Sequence, residues 1–294
     1  MQPPDNGRKL MRAFVLAAGL GTRLRPLTRL LPKPMVAAGD MPLLERAIRQ
    51  LAAAGITEIG VNLFYKPDSI RAHFGDGERL GVRITWFDER LPLPGETERR
   101  TEPLGTGGGL KAAEEFLRGD GDDAFLLVNG DAWHTFDLAA VAAAHREEAV
   151  ATMVVHRDRR RPELHLLRCR QGGDMAGFIH RPPMNLDELE AYEGPGFLGI
   201  YTGVAVYSAR VLDHLPANRV SGLVVHGLQP AVRGGASIRW HEPEGLWLDC
   251  GTLDELQRAD TYARSIVTLP TERALHAVGA FLDLCYVRIT LVLR

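Results

Sequence analysis

The stretch that decides the fold runs from Arg12 to Thr28 and reads RAFVLAAGLGTRLRPLT. Its first part, 12–18, is apolar almost throughout, which is typical of a strand buried on both faces of a parallel sheet. The turn that follows places Gly19 and Gly21 just beyond the carboxyl end of that strand, where open α/β sheets bind their ligands. The stretch therefore predicts an α/β fold with a ligand site after its first strand.

Strand and helix patterns alternate through the rest of the first half of the chain. Strand patterns cover 56–63, 82–87 and 124–128, and helical patterns cover 42–54, 68–74 and 110–117. In the less regular second half, strands are expected at 152–156, 164–169, 176–180 and 201–207, a loop or lid at 181–196, and helices at 208–215 and 253–265. This alternation predicts a Rossmann-like α/β fold, with a mixed and mostly parallel central sheet flanked by helices.

Composition restricts the function classes. The chain has 35 basic and 37 acidic residues and a formal net charge of −2, so binding to nucleic acid through excess positive charge is not expected. Its three cysteines are far apart and form no zinc-ligand or disulfide pattern, which favours a reducing, cytoplasmic location. The apolar segment 275–293 contains Asp283 and Arg288, so we expect no membrane span there, and no signal peptide at the start.

The domain boundaries follow from the same patterns. Residues 1–10 are polar and predicted to be a flexible tail, 11–265 one folded domain, and 266–294 a helical C-terminal extension. The extension could pack on the domain or form a homo-oligomer contact.

The glycine-rich turn carries features of a phosphate site. Free backbone N–H groups in such a turn can hold phosphate oxygens, and Arg23 adds a fixed, two-pronged positive charge. Lys33 lies between two prolines and is one of only four lysines among 35 basic residues. A lysine in a chain that otherwise uses arginine suggests a specific role there, and its ammonium group would add a mobile point charge to the site. A dinucleotide fingerprint would require glycine where Leu24 stands, and no Gly-Lys-Ser/Thr of a P-loop exists.

Three further motifs contain residue types that bind nucleotides and metals. They are Glu102-Pro-Leu-Gly-Thr-Gly-Gly-Gly109, Val128-Asn-Gly-Asp131 and Leu246-Trp-Leu-Asp-Cys-Gly-Thr252. The first is predicted to be a flexible loop that leads into a helix, whose N-terminus can hold an anion. In the second, an apolar strand ends in a carboxylate, a common way to hold a divalent cation beside phosphates. Taken alone, Asp131 could be a turn residue and Asp249 a helix cap.

Together the four motifs closely resemble the signature of the sugar-1-phosphate nucleotidyltransferases, the enzymes that make nucleotide sugars. The resemblance covers roughly residues 11–262 and implies that 11–265 is a nucleotidyltransferase domain. It assigns nucleotide binding to Ala18, Gly19, Gly21, Thr22, Gly105 and Thr106, catalysis to Arg23, Lys33 and Asp131, and Mg²⁺ binding to Asp131 and Asp249. The implied reaction converts a nucleoside triphosphate and a sugar 1-phosphate into a nucleotide sugar and pyrophosphate.

The sugar side departs from the family pattern. Many relatives carry Glu-Lys-Pro at the end of a strand, where this chain has His180-Arg181-Pro182. Arg181 can still bind the sugar phosphate, but the change from Glu to His180 leaves the sugar open. Thr202 and Gly203 match the family's Thr-Gly strand near the sugar and are further candidates.

The nucleotide also stays open at this stage. The Leu-Gly-Thr-Gly-Gly-Gly run is similar to enzymes that use GTP with mannose or heptose phosphates, and to uridylyltransferases that act on N-acetylmuramic acid 1-phosphate. UTP or GTP is therefore favoured, with neither nucleic acid nor a membrane as partner. The alternatives are a catalytically silent regulator that binds nucleotide sugars, and a molybdenum-cofactor nucleotidyltransferase, which would give no reason for the Pro-Lys-Pro and Trp-x-Asp-x-Gly-Thr motifs.

Overall fold

The computed structural model describes residues 11–119, 124–157, 166–178 and 196–267. Its strands are β1 Arg12–Leu16, β2 Ala37–Ala38, β3 Met41–Pro42, β4 Glu58–Leu63, β5 Arg83–Asp88, β6 Ala124–Asn129, β7 Trp133–His134, β8 Ala149–His156, β9 Leu166–Arg170, β10 Met175–Phe178, β11 Gly196–Ser208, β12 Ser237–His241 and β13 Trp247–Leu248. The α-helices are Leu27–Leu30, Leu43–Ala53, Pro67–Phe74, Gly105–Ala112, Glu114–Arg118, Leu138–Ala143, Gln229–Arg233 and Leu253–Val267.

Nine of the thirteen described strands form one large mixed sheet, and β2 with β3 and β7 with β13 form two small two-stranded sheets. The order of the large sheet is β10-β9-β11-β6-β1-β4-β5, and β8 pairs with both β11 and β12. β1 runs parallel to β4 and β6, and β4 runs parallel to β5. The long strand β11 runs antiparallel to β6, β8 and β9, so the antiparallel pairs belong to the second half of the chain. The expected α/β class, with a mixed central sheet and flanking helices, is confirmed.

Alternate residues of the central strands fill two cores on opposite faces of the sheet. Ala13 and Val15 of β1 belong to one buried cluster, together with Ile48 of the helix Leu43–Ala53. Phe14 points to the other face and belongs to the second cluster, together with Leu110. Both faces are thus covered, which explains why these strands appear as unbroken apolar runs in the sequence.

The helix predicted at 110–117 was placed wrongly. The glycines belong to the helix Gly105–Ala112, and a separate short helix covers Glu114–Arg118. The backbone of the segment 219–222 lies directly against the first turn, where the carbonyl oxygen of Ser221 accepts hydrogen bonds from Gly107 and Gly108 at 2.8 and 3.2 Å. A Cβ on Gly105 would lie 2.7 Å from that same oxygen. The glycines therefore serve close packing, although they disfavour a helix by intrinsic propensity.

Several segments were not predicted or differ in type. The 3₁₀ helix Ala209–His214 replaces the expected α-helix at 208–215, and a π-helical turn, Val224–Leu228, leads into the helix Gln229–Arg233. The tail 1–10, the loop expected at 181–196 (apart from its last residue) and nearly all of the extension 266–294 lie outside the described residues. Among the helices that are described, none is long and apolar enough to cross a membrane.

Candidate active site

Two hydrogen bonds hold the glycine-rich loop, one to the carboxyl edge of the sheet and one to the helix that follows the loop. Directly after β1, the backbone N–H of Ala17 donates to Asn62 Oδ1 at 2.7 Å. Further on, the buried Thr28 hydroxyl donates to the carbonyl oxygen of Gly21 at 2.7 Å. Gly21 has a φ of 62°, and a Cβ on it would lie 3.0 Å from Thr28 Cγ2. This position therefore requires glycine for the loop's own geometry.

Lys33 lies where the motifs meet. Its side chain is only 7% exposed, and its Nζ donates to Asp131 Oδ2 at 2.9 Å. The same Nζ donates to the backbone carbonyl oxygen of Asp249 at 3.3 Å. One ammonium group thus joins three motifs that are far apart in the sequence.

The other two described lysines also bond backbone carbonyls. Lys66 donates to Arg29 and Leu30, and Lys111 donates to Leu212 at 3.0 Å.

A small two-stranded ribbon brings the two aspartates together. Trp133 of β7 pairs with Leu248 of β13 in antiparallel register, so the chain just before β7 lies beside the chain just after β13. Asp131 and Asp249 occupy those two places. The Asp249 carboxylate lies 3.5 Å from the guanidinium of Arg23, which is 63% exposed. Burial raises the pKa of Asp249, and the positive charges of Lys33 and Arg23 offset part of that rise.

The residues after Asp249 show why it is not a helix cap. Thr252 Oγ1 accepts from the N–H of Glu255 at 3.3 Å, and Glu255 Oε2 accepts from the N–H of Gly251 at 3.1 Å. This reciprocal capping box starts the helix Leu253–Val267 and leaves the Asp249 side chain to the site. Burial raises the pKa of the neighbouring Cys250 thiol to about 12, so it is no nucleophile near neutral pH.

A cavity of about 230 Å³, here called the loop cavity, opens beside these charges. It is lined by Leu16, Ala18, Gly19, Asn62, Glu89, Pro103, Gly105, Thr106, Asn129 and Asp131. Five of these residues were sequence candidates. A Cβ placed on Gly19 would have no atom within 4 Å, so the free protein does not require glycine there.

Asn62 and Glu89 line the loop cavity and were not among the candidates from the sequence. Asn62 Nδ2 donates to Glu89 Oε1 at 2.7 Å, and the N–H of Leu104 donates to Glu89 Oε2 at 2.7 Å. Through Ala17, this buried pair connects the glycine-rich loop with the start of the helix Gly105–Ala112. Burial raises the pKa of Glu89. The available signal was a lone Asn within the apolar strand 58–63 and a Glu directly after β5.

A second cavity of about 450 Å³, here called the apolar cavity, adjoins the first and shares Leu16, Thr106 and Asn129 with it. Thr202 lines it, but its hydroxyl donates to the carbonyl oxygen of Val154 at 3.0 Å, so this side chain serves the sheet. Gly203 has a φ of 81° at an irregularity of β11. A Cβ there would collide with the side-chain amide of Asn129, so Gly203 makes room for that amide.

Asn129 is a site residue that the sequence analysis missed. Its side chain reaches both cavities and makes no hydrogen bond to any residue in the part of the chain that the structure describes. Its position as the last residue of β6, two residues before Asp131, was the available signal. Arg181 and His180, the candidates for the sugar phosphate, lie outside the described residues.

The comparisons with known proteins identify the family. Residues 12–265 match the nucleotidyl transferase family. The chain belongs to this family. Mannose-1-phosphate guanylyltransferase of Mycobacterium tuberculosis is 32% identical over 268 residues, which are 89% of this chain and 67% of that protein. UTP–glucose-1-phosphate uridylyltransferase of Synechocystis is 29% identical over 252 residues, which are 85% of this chain and 62% of that protein.

The chain thus spans about two thirds of the length of the curated relatives it matches. Both relatives are named as sugar-1-phosphate nucleotidyltransferases, so the expected family is confirmed.

A solved structure agrees at the level of the fold. HddC from Yersinia pseudotuberculosis, complexed with GMP-PN, superposes with a TM-score of 0.65 at 19% identity. The match covers 85% of this chain and 98% of that one.

Proposed function

We propose that the chain transfers a nucleotidyl group from a nucleoside triphosphate to a sugar 1-phosphate and releases pyrophosphate. The observation that carries this proposal is the meeting of Lys33 and Arg23 with Asp131 and Asp249 beside the loop cavity. Cations and carboxylates at one sheet edge suit a reaction between two polyanions. The names of the curated relatives support the same reaction class.

The two aspartates fit a divalent metal ion. Lys33 Nζ donates to the Asp131 carboxylate and to the backbone carbonyl oxygen of Asp249. Oxygen atoms of both aspartates therefore already surround one positive charge. The described residues contain no group of three or more His, Cys, Asp or Glu side chains that could hold a metal. Mg²⁺ is commonly bound by one or two carboxylates together with substrate phosphates and waters, and this donor set suits that arrangement. Asp131 and Asp249 would hold Mg²⁺, which neutralises charge on the phosphates when bound.

The reaction needs no general base. The attacking group is a phosphate oxygen of the sugar 1-phosphate, which is ionised near neutral pH. It forms a bond to the α-phosphorus as the bond from that phosphorus to the bridging oxygen breaks, and pyrophosphate leaves with both electrons. Lys33 and Arg23 lower the repulsion between the reacting anions and hold them in line. The backbone of Ala18, Gly19, Gly21 and Thr22 would wrap the triphosphate, and Gly105 and Thr106 would contact the base.

Asn129 would also contact the substrates, because its amide lines both cavities and has no hydrogen-bond partner among the described residues. An amide there can donate to a phosphate oxygen and accept from a sugar hydroxyl at once. Arg181 stays a candidate for the sugar phosphate, and Gly203 acts by leaving space for Asn129.

GTP and UTP remain the favoured nucleotides, and the names of the relatives support both, since one is a guanylyltransferase and one a uridylyltransferase. Pyrophosphate release from each of the four ribonucleotides and dTTP, with a panel of sugar 1-phosphates and Mg²⁺, tests both the reaction and the nucleotide. Binding of a nucleotide sugar without pyrophosphate release from any pair would instead favour a silent regulatory relative.

A further inference from the structure

The apolar cavity is larger than the loop cavity and is built mainly from hydrocarbon. Its volume is about 450 Å³, against about 230 Å³ for the loop cavity. Much of its wall is formed by Leu127, Met153, Leu167, Phe178, Leu223 and Val224. Apolar walls of this extent match an apolar part of a ligand, because hydrocarbon surfaces gain free energy when they leave water together.

Most polar groups of the wall already have partners within the protein. Trp247 Nε1 donates to the carbonyl oxygen of Thr202 at 2.8 Å, and the Thr202 hydroxyl is bonded to Val154. The hydroxyls of Tyr201 and Tyr207 lie 3.3 Å from each other. Among the residues that the structure describes, the wall therefore offers few free partners to a sugar ring with a hydroxyl on every carbon, and a buried hydroxyl without a partner is unfavourable.

At one side of the described wall lie Asn129, which has no hydrogen-bond partner among the described residues, and Asp249, whose carboxylate is 3.5 Å from the guanidinium of Arg23. Asn129 also lines the loop cavity, and Asp249 lies next to Lys33. A sugar 1-phosphate would accordingly place its phosphate and polar edge at this side and the rest of its body against the hydrocarbon wall.

We infer that the sugar 1-phosphate of this enzyme carries an apolar substituent, an acyl group or a methyl group in place of a hydroxyl or hydroxymethyl, which fills the apolar cavity. The inference rests on the proposed function, since it concerns the second substrate of the same site. Val224 and the other apolar residues of the wall would then determine which sugar 1-phosphate the enzyme prefers.

The test compares kcat/KM for pyrophosphate release, with GTP and with UTP, across a matched panel. Glucose and mannose 1-phosphates are the plain sugars, N-acetylglucosamine 1-phosphate carries an acyl group, and 6-deoxyglucose 1-phosphate carries a methyl group. At least one substituted sugar is expected to exceed both plain sugars by about tenfold or more. A plain sugar that equals or exceeds every substituted one would overturn the inference while leaving the proposed function intact. No release with any sugar would count against the proposed function itself.

A substitution of unchanged shape tests the wall directly. Val224→Thr puts a hydroxyl into the apolar cavity, and Val220→Thr makes the same change at a residue that is 48% exposed and does not line it. Val224→Thr is expected to lower the kcat/KM ratio of the preferred substituted sugar to glucose 1-phosphate by about 3- to 10-fold. Val220→Thr is expected to leave that ratio unchanged. An equal ratio in both variants would show that the cavity does not hold the substituent.

Discussion

Two glycines of the same loop should respond in opposite ways to the same substitution. Gly21 has a φ of 62°, a conformation that costs an alanine about 1–2 kcal/mol. The added Cβ would also lie 3.0 Å from Thr28 Cγ2 and 3.1 Å from Lys33 Cβ. We therefore expect Gly21→Ala to lower the free energy of unfolding by about 2 kcal/mol, which corresponds to a Tm lower by about 4–8 °C in a domain of this size.

Gly19→Ala should leave folding intact and impair binding. A Cβ there has no atom within 4 Å, so the free energy of unfolding should stay within about 0.5 kcal/mol of the parent protein. The same Cβ enters the loop cavity of about 230 Å³, where the triphosphate would come into close contact with the backbone. The Kd for the nucleotide is expected to rise at least about tenfold, equivalent to 1.4 kcal/mol.

Thermal unfolding without ligand and calorimetric titration with GTP or UTP and Mg²⁺ separate the two effects. Gly21→Ala is the matched control, since it makes the same chemical change two residues away. If Gly19→Ala bound nucleotide as tightly as the parent protein, the loop cavity would not be the nucleotide site. A large loss of stability in Gly19→Ala would contradict the open space seen around it.

Four further outcomes are expected. Asn129→Ala should lower kcat/KM by about tenfold or more with little change in Tm, because the amide has no hydrogen-bond partner among the described residues; steady-state kinetics and thermal unfolding measure both. Asp131→Asn should abolish the increase in Mg²⁺ affinity that a bound nucleotide produces, and a persistent increase in a calorimetric titration would exclude Asp131 as a ligand. Burial lowers the pKa of His134 to about 4, so this group should lower the free energy of unfolding by about 3 kcal/mol as the pH drops from about 6.5 to 4, and denaturant unfolding of His134→Phe should lack that part of the slope. Burial alone would raise the pKa of Glu45, but hydrogen bonds from Arg79, His73 and Arg49 bring it to about 2, so a further loss of stability is expected below pH 4.5 that Glu45→Gln does not show.

The sequence predicted the central elements because their apolar runs report burial on both faces of a sheet. β1 and β6 were located to within two residues. Because these two strands run parallel, Gly19 and Asp131, which follow them, lie at the same edge of the sheet. The contact of Lys33 with Asp131 could be expected only from the family resemblance, since 98 residues separate them.

The missed features depend on tertiary contacts. The glycines of the helix Gly105–Ala112 have low helix propensity, so the sequence predicts a loop there. The close packing of residues 219–222 against this helix explains why they are glycines. Asn129 and Gly203 act as a pair from two antiparallel strands, and their register could not be predicted from either strand alone. The link from Asn62 to Glu89 joins the ends of neighbouring strands in the same way.

The most direct test of the central claim is pyrophosphate release by the full chain and by Asp131→Ala, with GTP or UTP, a sugar 1-phosphate and Mg²⁺. The parent chain should release pyrophosphate only when both substrates are present, in amounts equal to the nucleotide sugar formed. Asp131→Ala, assayed at a temperature at which thermal unfolding shows it to be folded, should lose at least about a hundredfold in kcat, because the charge that would hold Mg²⁺ is gone. Normal turnover by Asp131→Ala, or no release by the parent chain with any pair, would contradict the proposed reaction.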